Sequence, residues 1–531
     1  SKGLIKESEV IRIITEALYS LGYGESGIRL EKESGIPLHS TIVKLFLEQV
    51  NNGEWDKSIV TLKGIQLQNE KAVTFLLLEQ KFFEFLKLEK DTDALGILRK
   101  EMLPLGVNNK RVHELASVLI SASGKDAECV NPGSKVVEKL QNLFPPAILI
   151  PEKRLEYLLE MDLDSQMSCC EFHNIPDSDL SLYSHHHCGI HNIPSETLET
   201  LEKHTDEVWF LKFSHNGKYL ASSSKDKSAI IWEIDAQGKF SEKHKLLGHV
   251  NPVAMVLWSP DDKQVLTCGE DEVIKRWVVD SGECVQTYET DGVGSVSCGW
   301  FHDGSGIIGG MADRRICLWN LDGTEIEHEQ VQREQKLSDV AMTADGKWLV
   351  SVGRVCEISL FNRETRAVRL IPEEDMITSF SLSKDNKHLL INLITQKIHM
   401  WNIEGEPYLC SEYTGHKRSR FIIRSCFGGY KDSFIASGSE DSQVYIWKIL
   451  RPQKEPCSVL RGHSGAVNCV SWNPTDLHML ASASDDGTIR IWGRDKKLEK
   501  QQQQQQKKRL AKASAVAAAM KAMTVTTGKA L

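Results

Sequence analysis

The sequence predicts an all-α N-terminal helical module followed by an all-β propeller of seven blades. Three observations carry that reading. Helical apolar spacing dominates residues 8–161, and a strand-turn-strand unit recurs at a fixed period between residues 194 and 492. The clearest copy of that unit, Leu460–Trp492, cannot bury both of its faces alone and needs copies of itself stacked alongside. Within it Ala466–Trp472, Met479–Ser484 and Thr488–Trp492 alternate as strands, separated by turns at Asn473-Pro474 and Asp485-Asp486-Gly487.

Composition bounds the function. A chain of 531 residues has room for two or more domains, and its net charge of −9 argues against duplex nucleic acid as a direct partner. No apolar run reaches the roughly 18 residues needed to span a bilayer, and no signal peptide is visible, so no membrane partner is expected. The 13 cysteines are scattered through the expected strands as small apolar residues. That usage fits a reducing cytoplasmic and nuclear location and no disulfide framework.

In the helical module Val10, Ile11, Ile14, Leu18 and Leu21 fall on one stripe, Gly22-Tyr23-Gly24 breaks the helix, and Ser26–Lys32 forms a second one. Helices this short expose their apolar stripe unless it is covered by a second copy of the chain or by the helices that follow. Ile14, Leu18, Leu21, Tyr23 and Leu30 are the candidate dimerisation residues. The following helices are expected at Ser40–Val50, from an Asp56 N-cap through Leu62, and at Asn69–Leu88, Asp91–Met102, Lys110–Ile120, Ser134–Leu143 and Glu152–Met161, the last with Pro151 at its start. Asn69–Leu88 is apolar nearly all round, which predicts a helix buried by the others; its aromatic residues read as core and not as a cofactor box.

Residues 169–191 join the two regions and are rich in Cys and His. Cys170-x-x-His173 and His186-x-Cys188 have metal-ligand spacing, with His185, His187 and His191 nearby. Two readings stay open: a zinc staple in a connector too short for its own core, or a solvated loop with chance neighbours. No cofactor is expected elsewhere.

The last strand of the defining unit carries Asp six residues before Trp, and the pair recurs as Asp226/Trp232, Asp271/Trp277, Asp313/Trp319, Asp441/Trp447 and Asp486/Trp492. Weaker copies end at Phe361 and Trp401, so the aromatic positions are spaced 45, 42, 42, 40, 46 and 45 residues apart. Seven units at that period fit a seven-bladed WD-repeat propeller. Each strong blade also offers a polar relay: His204, Ser222, Asp226 and Trp232 in the first, His463, Ser482, Asp486 and Trp492 in the seventh. A Ser-His-Asp set invites a hydrolase reading, but a nucleophile site occurs once and this set repeats, so no catalytic residue is expected.

The tail after Trp492 is polar and Lys/Gln-rich, and cannot supply a fourth strand to the last blade. Thr197–Leu201 alternates and has no other partner, so it is expected to close the ring there. Blades three to five lack a Gly-His pair, and in blades four and five Val355 and Thr395 replace the Asp, so this sector is expected to lean on apolar packing. Blade six carries Lys417, Arg418, Arg420 and Arg424 in a lengthened loop, a candidate surface for an acidic peptide or phosphate if it is more than a solvated loop. Lys507-Lys508-Arg509 could serve nuclear import.

Several stretches also resemble known families. LYSLGYGESGIRLEKESGI, with Leu18, Gly22, Tyr23, Leu30 and Glu33, resembles the LisH dimerisation motif; NGEWDKSIVTL, FLLLEQKFFEFL and TDALGILRKEMLPL resemble CTLH and CRA helices. The resemblance divides the chain into LisH at 6–38, CTLH at 39–97, CRA at 98–165, connector at 166–193, propeller at 194–492 and tail at 493–531. This order, with SCFGGY…FIASGSED and VNCVSWNP…ASASDDGTIRIW, is similar to the WD-repeat protein 26 family, in a plant-type form. That resemblance implies a non-catalytic subunit of the CTLH ubiquitin ligase, self-associating through its helices, bound to RING partners, and holding substrates or adaptors at the propeller. Topless-like corepressors share the helices but carry two propellers. Cullin-4 receptors carry a Trp-Asp-x-Arg word that WEID, WVVD, WNLD, WNIE and WKIL do not match.

Overall fold

The computed structural model describes residues 5–120, 139–289, 295–313, 315–330, 337–353, 356–449 and 453–494. The tail with Lys507-Lys508-Arg509, and the first half of the helix expected at 134–143, lie outside the described residues. The chain divides into two units, Ser1–Ser165 and Gln166–Leu531.

The first unit opens with α1 (Glu7–Ser20) and α2 (Gly24–Ser34). Gly22 between them takes φ 87°, a left-handed conformation that ends α1 without a Cβ penalty. α1 is held by polar anchors. The Arg12 guanidinium donates to the carbonyls of Leu38 at 2.9 Å, Ala147 at 2.7 Å and Ile148 at 3.3 Å, and Glu16 accepts the Lys153 N–H at 3.0 Å.

The chain continues as α3 (Thr41–Asn51), α4 (Trp55–Lys63), α5 (Glu70–Lys87), α6 (Asp91–Ile97), α7 (Asn109–Ile120) and α8 (Arg154–Cys169). α5 is the central helix. Val73, Leu76 and Leu77 pack with Phe46, Val50, Trp55 and Phe144, while Phe75, Leu78, Phe82 and Leu86 pack with Ala94, Ile97, Met102 and Leu115. Each such side chain contributes about 1.5–3 kcal/mol of burial, which is why a helix apolar on two faces is stable here.

Two sequence expectations are corrected. Asp56 is not the cap of α4: the helix starts two residues earlier, at Trp55 with Glu54 as N-cap, and Asp56 in its first turn pairs with Lys81 at 2.6 Å. The helix begun at Asp91 widens into a π turn over Leu98–Met102 ahead of Pro104, whose ring cannot sit in a regular helix beyond Lys100.

The second unit is a ring of seven four-stranded antiparallel sheets. Six are built from consecutive strands. The seventh joins Val467–Trp472, Leu480–Ser484 and Ile489–Gly493 to Glu196–Leu201, pairing Thr197 with Trp492 and Leu201 with Ile489. The N–H of Ser195 extends this zipper to the carbonyl of Gly493 at 2.8 Å. An open edge on the last blade is thus covered by chain from the start of the ring. The turn before the third strand repeats around the ring with a left-handed residue at Lys227, Glu272, Gln396, Ser442 and Gly487; only Gly487 adopts it without strain.

Candidate protein-binding surfaces and the polar relays

The relays assemble from residues four positions ahead of an inner strand, within the second strand, in the turn after it, and on the third strand. In blade one, His204 Nδ1 lies 3.0 Å from Asp226 Oδ2, its Nε2 lies 2.9 Å from Ser222 Oγ, and Trp232 Nε1 donates to that hydroxyl at 2.9 Å. In blade seven, the corresponding distances for His463, Asp486, Ser482 and Trp492 are 2.9, 2.7 and 2.7 Å. Burial alone would raise the Asp226 and Asp486 carboxyls. The facing His, with hydrogen bonds from Ser228 and Thr488, outweighs it and holds both well below the usual range. Ser222 and Ser482 are fully buried, so neither hydroxyl meets a substrate.

Blade two builds the same relay with Thr267 in place of Ser: His249 lies 2.7 Å from Oγ1, and Trp277 donates to it at 2.8 Å. Blade five departs from apolar packing. Glu373, four residues ahead of the inner strand Ile377–Leu382, occupies the histidine position; its carboxylate lies 2.7 Å from His399 Nδ1 and accepts Trp401 Nε1 at 2.6 Å. A search for Gly-His misses this residue, whereas its register ahead of the strand would have found it.

Blade six has His416, Ser437, Asp441 and Trp447 but does not join them. Its inner strand starts at Ser425, nine residues after His416, and Trp447 Nε1 donates instead to the Thr414 carbonyl at 3.0 Å. Burial, and then the charge of Arg418, push His416 down to about 4.

The lengthened loop is built, not merely solvated. Glu440 accepts the N–H groups of Ser419 at 2.7 Å, Arg420 at 2.6 Å and Phe421 at 2.9 Å, and the Ser419 hydroxyl at 2.6 Å. Burial opposes the charge on Glu440, but these donors outweigh it and hold the carboxyl at about 2.

The four basic residues read as one surface part company here. Arg418 is buried, donating to the Phe421 carbonyl at 3.0 Å and to Thr378 Oγ1. Arg424 pairs with Asp339 at 2.5 Å where the inner strands converge, its guanidinium 5.2 Å from the Phe210 ring. The expected dense positive patch is therefore corrected to two outward cations, Lys417 and Arg420, beside exposed Phe421 and Ile422. Both apolar residues were missed because they sit among charges in the sequence. Val250, in the corresponding loop of blade two, is also exposed.

In the helical unit, Ile14, Leu21 and Tyr23 are 40%, 60% and 61% exposed, with Val10 and Ile28 also outward. Leu18 and Leu30 are partly buried. The anchors on Arg12 and Glu16 secure the opposite side of α1, and among the described residues this apolar stripe is left exposed.

In the connector, Cys170, His173, His186 and Cys188 come together with their ligand atoms all within 4.8 Å of one another, while His185 and His187 are exposed. Burial, and then the adjacent Cys170 thiol, push Cys188 up to about 11. Among the described residues, no helix is long and apolar enough to cross a membrane.

Comparison with known proteins separates the two ends of the chain. Residues 1–40 match the WDR26 Lis-homology domain, and residues 195–233, 240–277, 282–320, 408–448 and 454–493 match the WD domain, G-beta repeat. These matches leave out residues 41–194 and, within the propeller, the stretch 321–407 that holds blades four and five, where the Asp of the repeat is missing. Over 507 residues the chain is 64% identical to the WD repeat-containing protein 26 homolog of Arabidopsis thaliana, covering 93% of this chain and 86% of that one. The chain belongs to the WD repeat-containing protein 26 family. A Drosophila melanogaster WD repeat-containing protein 26 homolog is 36% identical over 91% of this chain and 80% of its own. The GID complex subunit 7 of Schizosaccharomyces pombe is 34% identical over 93% of this chain and 98% of its own. Within the WD repeat-containing protein 26 family, then, likeness runs through both units, since these relatives cover 91% to 93% of the chain.

Proposed function

We propose that this chain is a non-catalytic subunit of a GID/CTLH-type ubiquitin ligase, acting in the cytoplasm and nucleus. Its helical unit self-associates and joins RING-bearing partners, and its propeller holds protein substrates or adaptors. The observation that carries the reading is the end-to-end likeness to GID complex subunit 7, 98% of whose length is covered. The surfaces support it. A short helical hairpin with an uncovered apolar stripe buries that stripe by association, and a loop braced by Glu440 that presents Phe421 and Ile422 beside the outward cations Lys417 and Arg420 combines the apolar and charged groups of a docking site. The relays support the absence of catalysis, since their hydroxyls are buried and repeat from blade to blade.

Affinity capture of the tagged full-length chain from cells, read by mass spectrometry, tests this. RING-bearing CTLH subunits should co-purify; transcriptional corepressors or a cullin-4 adaptor recovered in their place would overturn the reading.

A further inference from the structure

The connector is fastened to the propeller by more than chain continuity. Phe172 packs against the cluster of Ile193, Phe434 and Trp472. The Asn174 amide donates to the carbonyls of Asn192 at 2.9 Å and Leu477 at 2.7 Å, and its oxygen accepts the Tyr430 N–H at 2.9 Å. Two half-sites accompany these contacts. Cys170 and His173 leave the end of α8, and His186 and Cys188 return to it after a loop.

Their donor atoms converge. His173 Nδ1 lies 2.9 Å from His186 Nε2, and the latter lies 3.1 Å from Cys188 Sγ. Cys170, His173 and Cys188 are 6%, 5% and 2% exposed, so three of the four are withdrawn from water, in contrast to the neighbouring His185 and His187. The other ring nitrogen of His173, Nε2, is buried without a hydrogen-bond partner among the described residues.

The sulfurs have donors of their own. The Cys188 N–H points at Cys170 Sγ at 3.0 Å, and the Asn174 backbone and Asn192 side chain face Cys188. N–H groups aimed at sulfur are the outer partners that thiolate ligands require.

We propose that Cys170, His173, His186 and Cys188 bind one structural zinc ion that pins the connector to blades six and seven. Two thiolates and two neutral imidazoles cancel the charge of a divalent ion. A mixed sulfur and nitrogen set suits zinc, whereas calcium and magnesium seek oxygen. With Zn–N near 2.0–2.1 Å and Zn–S near 2.3 Å, a tetrahedral site has ligand-to-ligand edges of about 3.3–3.8 Å. The cluster needs only sub-ångström to ångström-scale adjustment to reach them. Four protein ligands leave no open position, so the ion is structural, and this assignment is independent of the ligase reading.

The test is metal analysis of the full-length protein by inductively coupled plasma mass spectrometry, with zinc alone as the probe in a reconstitution. About one zinc per chain is expected, falling to near zero in the Cys170→Ser/Cys188→Ser variant. Because that variant could misfold, cobalt substitution of the unaltered protein supplies a second readout: thiolate-to-cobalt charge-transfer absorption and the visible bands of a tetrahedral ion. Folded protein without metal that takes up neither ion, zinc retained in full by the double variant, or another metal bound in its place would each overturn the assignment.

Discussion

Deleting residues 194–203 lowers the melting temperature of the propeller by about 10 °C or more. The deletion removes Glu196–Leu201 from the outer edge of blade seven, and with it the pairings of Thr197 to Trp492 and Leu201 to Ile489. Each ladder hydrogen bond lost contributes about 1 kcal/mol, and exposing the side chains that Leu201 covers adds about 2 kcal/mol. At roughly 2–4 °C per kcal/mol for a domain of this class, the shift is large. The ring also loses the strand that closes blade seven with chain leading into blade one. Tryptophan fluorescence during heating reads this transition, because all of the 12 tryptophans except Trp55 belong to the propeller. An unchanged transition would contradict the closure.

The second large effect is at the centre of the ring. Asp339→Ala strands the Arg424 guanidinium among the inner strands of blades one, four and six, with 18% of its side chain exposed. Breaking a fully buried pair costs about 3–5 kcal/mol, and the residual exposure reduces this to about 2–4 kcal/mol. The double variant Asp339→Leu/Arg424→Met removes both charges and should recover most of the loss. Urea denaturation of the three proteins measures it. A single variant as stable as the parent, or a double variant no better than the single, would show that the pair does not hold the centre.

Much of this architecture was legible in the sequence because it rests on period. The spacing of Asp and Trp counts the blades even where blade four offers only Phe361. The polar tail after Trp492 forces the search for a distant closing strand, and the apolar surround of α5 announces a central helix. What stayed hidden depends on where a side chain turns. Arg418 and Arg420 are two residues apart and alike in chemistry, yet one is a buried strut and the other faces water, because Glu440 fixes the loop between them. Glu373 was hidden because a carboxylate does the work of an imidazole in the same register. The connector was ambiguous because two-residue half-sites become a cluster only when the loop between them folds back.

These findings redirect the experiments on the blade-six loop. Arg418→Glu would bury a carboxylate beside the carbonyls of Phe421 and Leu393, and so would test stability and not docking. Phe421 and Ile422 are the residues to alter, because both are exposed and their loop is fixed by Glu440 through the backbone.

The proposed function divides the labour, with assembly through the helical stripe and recruitment through the propeller. Quantitative affinity capture of three full-length chains tests it most directly: the parent, Ile14→Asp/Leu21→Asp, and Phe421→Asp/Ile422→Asp. The helical variant should lose self-association and most of the RING-bearing subunits, at about tenfold or more for a desolvated charge at an apolar contact, while retaining propeller partners. The loop variant should do the reverse. If both variants capture the same proteins as the parent, or if both lose everything together while remaining folded, the division of labour is wrong.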